Sequence, residues 1–240
     1  MEYAVAIQNL SKDYETGFWR KKKVRALDDL TLNVRPGQIF GFLGGNGAGK
    51  TTFVSLISGR VSPTSGSVFF QGEDITQLPA FKRVRRGIAY TFQITSIYSN
   101  LTVADNVALA ARHAGSRSSP GYLDRVGIAD RAGQIAGTLS YGHQRLLEVA
   151  MGLALHPKLL ILDEPTQGLS DAEIANFITL VRTLSKEATV LLIEHNMPVV
   201  MNLAHRITVL DRGMILAEGT PGEIRANAAV QAAYLGTTDA

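Results

Sequence analysis

Short apolar runs alternate with amphipathic stretches along the chain, and that rhythm predicts the elements. Tyr3–Asn9 alternates in part and reads as a strand, and Leu30–Val34 reads as another, ended by the turn Arg35-Pro36-Gly37. Gln38–Leu43 is a short apolar strand running into Gly44-Gly45-Asn46-Gly47-Ala48-Gly49. A helix is expected over about Lys50–Ser58, stopped by Gly59. Pro63–Gly66 reads as a turn and Ser67–Gln71 as a strand. Leu159–Leu162 and Val190–Ile193 are apolar throughout, as strands buried on both faces of a parallel sheet are. Asp171–Leu184 has the period of an amphipathic helix, Pro198–Ala204 starts another, and Asp211-Arg212-Gly213 separates the arms of a hairpin, Thr208–Leu210 and Met214–Ala217. Strands alternating with helices predict an α/β fold with a parallel-sheet core.

Residues 94–139 break this alternation. Val103–Ala111 is helical in pattern, Gly115–Gly121 is a Ser/Gly/Pro-rich break, and Leu123–Val126 is a short helical piece. Ser140 is a candidate N-cap for a helix reaching Leu155. The expected organisation is one domain over 1–240, with a core of 1–93 and 156–240 and an inserted, mostly helical subdomain at about 94–155. No internal repeat or low-complexity tract interrupts it.

Composition narrows the classes. With 240 residues, 45% hydrophobic and 19% charged, the chain is a folded protein and not a disordered one. Absence of Cys excludes a disulfide scaffold and a cysteine zinc site, and the five His are scattered. No run approaches the roughly 18 apolar residues of a membrane span. Met1–Val5 has neither a basic n-region nor an apolar h-region, so a cytoplasmic location is expected, with any work at a membrane done through spanning partners. A net charge of +3 is too small to argue for nucleic acid, and no such partner is expected. Arg20–Lys23 forms a basic hairpin tip that could touch anionic headgroups, although a solvated loop is the simpler reading. Lys82, Arg83, Arg85 and Arg86 read as a solvated helical face.

The candidate chemistry begins at Gly44-x4-Gly49-Lys50-Thr51, which fits G-x-x-x-x-G-K-[ST] between a strand and a helix. Its glycines let consecutive N–H groups curl around phosphate oxygens, and the helix start adds a favourable dipole. Lys50 supplies a point charge for the outer phosphates, and the Thr51 hydroxyl can ligate Mg²⁺. Asp163 and Glu164 end the apolar run Leu159–Leu162. At the C-terminal edge of a parallel sheet both reach a ligand, one acid to hold Mg²⁺ through water and the other to polarise an attacking water. His195 ends a second buried run. It can hydrogen-bond a γ-phosphate, or simply cap a surface turn. Gln93 can orient water or a metal ion, or be a plain loop amide.

Leu139-Ser140-Tyr141-Gly142-His143-Gln144-Arg145, upstream of Asp163, resembles the signature motif of ABC ATPases, usually Leu-Ser-Gly-Gly-Gln. The other landmarks follow in order across essentially the whole chain. Gln93 looks like the Q-loop glutamine, Leu159–Asp163 like the Walker B strand, Glu164 like the catalytic glutamate, His195 like the switch histidine and Tyr14 like the aromatic that stacks on adenine. Gly168-Leu169-Ser170-Asp171 sits where the D-loop belongs. The resemblance implies a P-loop ABC ATPase core with a mixed, largely parallel sheet, an N-terminal antiparallel β part and an inserted α-helical subdomain. It implies ATP held by Tyr14, Gly44, Gly45, Asn46, Gly47, Ala48, Gly49, Lys50, Thr51 and Thr52. Catalysis falls to Glu164, His195 and Gln93, and Mg²⁺ to Thr51, Gln93 and Asp163.

By the same resemblance, Ser140, Tyr141, Gly142 and His143 close over the ATP of a partner subunit arranged head to tail. Gly87–Gln93, Leu192–Met197, Leu139–Glu148 and the tail from Glu218–Ile224 through Ala233–Gly236 are similar to the ATP-binding subunits of branched-chain amino-acid importers. That branch implies permease subunits, a second ATP-binding subunit, a separate solute-binding protein and a position on the inner face of the membrane. Urea, amide and aromatic-acid transporters look alike, and the lipopolysaccharide-export ATPase is the rival exporter reading. A soluble ABC ATPase is disfavoured because the chain has neither a long coiled-coil insert nor tandem cassettes, and a P-loop kinase has no use for the signature segment. Departures are Tyr141 for the first signature glycine, His143 for Gln, Gly45 for the common Pro and Ser170 for the usual D-loop Asp. His143 is a candidate to make the γ-phosphate contact pH-dependent, and the short insert reshapes the groove expected for a membrane partner.

Overall fold

The computed structural model describes residues 3–17, 22–91, 96–115 and 121–235. Gln93 lies outside the described residues, as do Arg20 and Lys21 of the basic loop. In chain order the strands are β1 (Val5–Thr16), β2 (Lys22–Val34), β3 (Ile39–Gly44), β4 (Ser65–Phe70), β5 (Glu73–Asp74), β6 (Ile88–Thr91), β7 (Leu159–Asp163), β8 (Thr189–Ile193), β9 (Arg206–Asp211) and β10 (Met214–Gly219). The helices are α1 (Lys50–Ser58), α2 (Ala80–Arg85), α3 (Val103–His113), α4 (Tyr122–Arg125), α5 (Tyr141–Ala154), α6 (Asp171–Leu184), α7 (Met197–Leu203), α8 (Pro221–Ala226) and α9 (Ala228–Leu235).

Two sheets result. One is antiparallel, in the order β2-β1-β4-β5, and the other runs β10-β9-β3-β8-β7-β6 with every pair parallel except β10 against β9. The α/β reading with a largely parallel core therefore holds. The apolar runs alternate between two cores. Leu160 and Leu162 of β7 and Val190 and Leu192 of β8 face α3, α5, α6 and α7, whereas Leu159, Ile161, Leu191 and Ile193 face α1 and the antiparallel sheet. A strand with a core on each side has no place for a polar residue until its end, which is why the polar residues collect at one edge.

Register fixes that edge. Phe42 of β3 pairs with Ile193 of β8, and Ile193 pairs with Asp163 of β7, so the loops after the three strands emerge side by side.

The sequence underestimated β1 and β2. Expected over Tyr3–Asn9 and Leu30–Val34, they extend to Thr16 and back to Lys22, because Asp13, Tyr14 and Glu15 pair with Arg25, Val24 and Lys23 after register shifts that disguise the alternation. One charged residue was misread. Arg83, expected on a solvated face with Lys82, Arg85 and Arg86, is 1% exposed. Its guanidinium donates to the carbonyls of Leu56 and Ile57 at 2.7 and 2.9 Å, of Leu78 at 2.8 Å and of Thr76 at 3.0 Å. It thereby caps the C-terminus of α1, where a cation meets both unpaired carbonyls and the negative dipole end. Burial pushes its pKa down to about 10, with Asp74 opposing, so it stays charged at neutral pH.

Candidate functional site

The loop Gly45–Gly49 joins β3 to α1 and is shaped by where it packs. Gly49 has φ +105°, and a Cβ there would lie 2.7 Å from the Ala26 carbonyl oxygen and 2.8 Å from Leu27 Cδ2. The glycine thus lets β2 press against the first turn of α1. Gly45 and Gly47 face open space, and Gly45, Asn46 and Gly47 are exposed, so the backbone forms a cradle open to an anion. Lys50 Nζ folds back onto it, donating to the Gly44 and Gly45 carbonyls at 2.6 and 3.1 Å. Burial pushes the Lys50 pKa down, while the carboxylates of Glu164 and Asp163 push it up. Thr51 is exposed and Thr52 half-buried in the first turn of α1. Tyr14 is 36% exposed on β1 opposite Val24, two residues before Ala26, whose carbonyl packs against Gly49. Lys12 Nζ lies 5.3 Å from the ring centroid.

Asp163 is buried at the end of β7, and the Tyr90 hydroxyl donates to its Oδ2 at 2.9 Å. Burial pushes the Asp163 pKa up, the Tyr90 bond opposes this, and the Glu164 charge adds to it. Tyr90 itself is pushed up, first by burial and then by Asp163. Glu164 takes φ +50°, a left-handed backbone uncommon for a non-glycine residue, and its N–H donates to the Ile193 carbonyl at 2.8 Å. Its Oε1 lies 3.7 Å from Nδ1 of the exposed His195. The structure therefore brings together Lys50, Asp163, Glu164 and His195.

Glu194 was passed over in the sequence. It is 0% exposed, and its carboxylate accepts from the Thr166 N–H and hydroxyl with one oxygen and from the N–H groups of His195 and Asn196 with the other. It clamps the His195 turn to the segment after Glu164. An acid directly following an all-apolar strand was the available signal, since such a position is buried and its charge must be satisfied there.

The second half of the site is the start of α5. Ser140 is the N-cap, accepting from the His143 N–H at 3.3 Å, and lies 2.6 Å from His143 Nδ1. A Cβ on Gly142 would lie 2.9 Å from the Gly168 carbonyl oxygen, and one on Gly168 (φ +81°) would lie 2.7 Å from Tyr141 Cδ1. These glycines allow the segment 139–145 to press directly on 167–170. Tyr141 donates to Gln167 Oε1 at 3.3 Å and accepts from Arg145 Nη2 at 2.8 Å. Arg145 also pairs with the buried Glu148 at 3.0 Å, and Glu148 accepts from the Ser96 N–H. Ser170 caps α6 in a reciprocal box with Glu173.

Among the described residues no group of three His, Cys, Asp or Glu gathers as a metal cage. The donor set present, a threonine hydroxyl and a buried carboxylate beside an anion cradle, fits Mg²⁺, which takes one or two protein ligands and completes its shell with phosphate and water.

Comparison with known proteins decides what this constellation is. The family profile described as "ABC transporter" matches residues 27–167. The chain belongs to the ABC transporter family. A second profile, "Branched-chain amino acid ATP-binding cassette transporter", matches residues 214–240. The chain is 37% identical over 234 residues to the high-affinity branched-chain amino acid transport ATP-binding protein BraF of Pseudomonas aeruginosa, covering 88% of this chain and 92% of that one. It is 34% identical over 235 residues to LivG of Escherichia coli, with the same name and coverage. Among solved structures, an ATP-binding cassette of an ABC transporter matches with a TM-score of 0.85 and 26% identity, covering 100% of both chains. The cbiO1 subunit of a Clostridium perfringens ABC transporter complex matches at 0.81 and 26%, covering 96% and 93%. As a member of this family the chain is an ATPase whose hydrolysis is coupled to transport.

Proposed function

We propose that this ABC ATPase energises an importer of branched-chain or closely related amino acids. The observation that carries the reading is likeness to BraF and LivG over 88% of the chain, joined to the family match at residues 214–240. In this reading the chain lies on the inner face of the membrane against two permease subunits and a second ATP-binding subunit, and a solute-binding protein selects the cargo. Residues 94–155 form the helical subdomain that meets the permease.

In this reading each site residue has a role. Backbone N–H groups of 45–52 and Lys50 hold the phosphates, and Tyr14 offers its ring to the adenine. Glu164 takes a proton from the attacking water, and His195 and Gln93 act at the γ-phosphate. Thr51, Gln93 and Asp163 would hold Mg²⁺, with Asp163 oriented by the Tyr90 hydroxyl. Bound Mg²⁺ supplies positive charge that neutralises the outer phosphates. Ser140–His143 close over the partner's nucleotide.

A tagged pull-down from detergent-solubilised native membranes, read by mass spectrometry, tests this. Two permease subunits with a sister ATPase are expected, and the associated binding protein should take leucine-like ligands. Recovery of export components, or of the soluble chain alone, would overturn the importer reading.

A further inference from the structure

Ser140 must give its hydroxyl hydrogen to the γ-phosphate of the partner's ATP if the segment is to close as proposed. In this chain that hydrogen has a competitor. His143 Nδ1 sits 2.6 Å from Ser140 Oγ, and the same oxygen already accepts the His143 backbone N–H. On its far side His143 Nε2 lies 3.7 Å from Oε1 of Glu173. The other Glu173 oxygen accepts from both the N–H and the hydroxyl of Ser170, each at 2.7 Å. A chain of polar groups therefore runs Ser140–His143–Glu173–Ser170, from the signature to the D-loop within one subunit.

The direction of the hydrogen bonds depends on the imidazole. In the neutral ring the nitrogen facing a carboxylate keeps its hydrogen, so Nε2–H points at Glu173 and Nδ1 accepts. Ser140 then donates inward, to Nδ1, and its hydrogen is turned away from the interface. In the protonated ring both nitrogens donate. Nδ1–H then points at Ser140 Oγ, and the hydroxyl hydrogen can only turn outward.

We infer that His143 and Glu173 are positioning residues that set which way the Ser140 hydroxyl donates, inward when the imidazole is neutral and outward to the partner's ATP when it is protonated. The inference rests on the reading of Ser140 as the closing residue over the partner's nucleotide. Glu173 suits the role, because its carboxylate is held ionised by the two Ser170 donors, with His143 and Arg131 adding to the effect. The groups facing His143 from other elements are Glu173 on α6 and Asp124 and Arg125 on α4, which line a small cavity with it. Arg131 acts on Glu173 from the turn after α4.

The test has a direct and a functional arm. Imidazole nitrogen NMR of the whole chain at alkaline pH should show His143 as the Nε2–H form with Nδ1 unprotonated. The Nδ1–H form would overturn the inference. ATP-driven dimerisation in a Glu164→Gln background, followed by sedimentation between about pH 5.5 and 8, should be about 2–10-fold tighter at the acid end, the range one hydrogen bond supplies. His143→Gln should flatten this ratio to that of ATP alone, and Glu173→Gln, which keeps a cap acceptor but removes the carboxylate that Nε2 faces, should reduce it. Glu173→Asp should restore it in part. An unchanged ratio in His143→Gln would overturn the relay while leaving the closing role of Ser140 standing. If ATP binds yet drives no dimer at either pH, with or without a membrane-purified sister ATPase, the closing reading itself falls and the relay with it.

Discussion

Glu164 sits in a left-handed backbone, beside His195 and opposite Lys50, and each of these placements has a cause elsewhere in the chain. The strain at Glu164 is held by its N–H to the end of β8, so its carboxylate is aimed from a fixed point. Glu164→Gln should keep nucleotide affinity and lower turnover by about 10²–10⁴-fold, the usual worth of a general base. Phosphate release and nucleotide titration check this, and undiminished turnover would remove Glu164 as the base. Tyr14→Ala should weaken ATP binding by about 1–3 kcal/mol, the value of one base–aromatic stack. Equal affinity in the variant, by calorimetry, would take Tyr14 out of the base pocket. Single residues were legible where chemistry forces them into a pattern: the phosphate loop, the acids ending a strand and Ser140 as a cap. Glu194 and Tyr90 were not, because a buried carboxylate with several donors, or a phenol aimed at one oxygen, leaves no spacing in the sequence.

Elements were legible where one environment governs a whole run. β7 and β8 read correctly because both faces are buried, and α1, α5 and α6 because their caps are local. The outer halves of β1 and β2 were lost since a register shift cancels the alternation. Arg83 was lost since its partners are carbonyls of α1 and of the loop before α2, a tertiary fact. Arg83→Leu should destabilise the fold by about 2–4 kcal/mol, because it leaves several buried carbonyls without donors. Denaturant unfolding measures this, and a loss below experimental error would mean that water replaces the guanidinium. The capping boxes of α6 and α8 make a pH prediction. Hydrogen bonds from Ser170 and Thr220 hold Glu173 and Glu223 below the usual carboxylate range. Folded-state values depressed in this way contribute stability that is complete above the unfolded value of about 4.3 and is lost as pH falls through the folded one. Glu223→Gln should therefore lower the thermal midpoint at pH 7, and by less as the pH falls into the acid range. An equal effect throughout would show that the cap acts without its charge.

At the scale of the whole molecule the candidate site has two halves. One is the phosphate cradle with its acids, and the other is the α5 start with Ser140. On the proposed function such a chain binds ATP by itself, and a second subunit finishes the site. Ser140→Ala should leave ATP binding to the isolated chain intact and weaken ATP-driven dimerisation, as read by light scattering. Weakened binding to the isolated chain would place Ser140 in its own nucleotide site. Hydrogen bonds from Ser96 through Glu148 and Arg145 to Tyr141 and Gln167 tie the segment after β6 to the start of α5 and to the loop after β7.

Glu194 gives that arrangement its timing. With one oxygen on Thr166 and the other on the His195 turn, it is a rivet through two loops. On the proposed roles, the loop at the γ-phosphate and the loop carrying the base are tied through this one carboxylate. The stretch after Glu164 also packs on the segment 139–145 at Gly168. A phosphate lost at His195 would then reach the base and the partner-facing segment through the same joint.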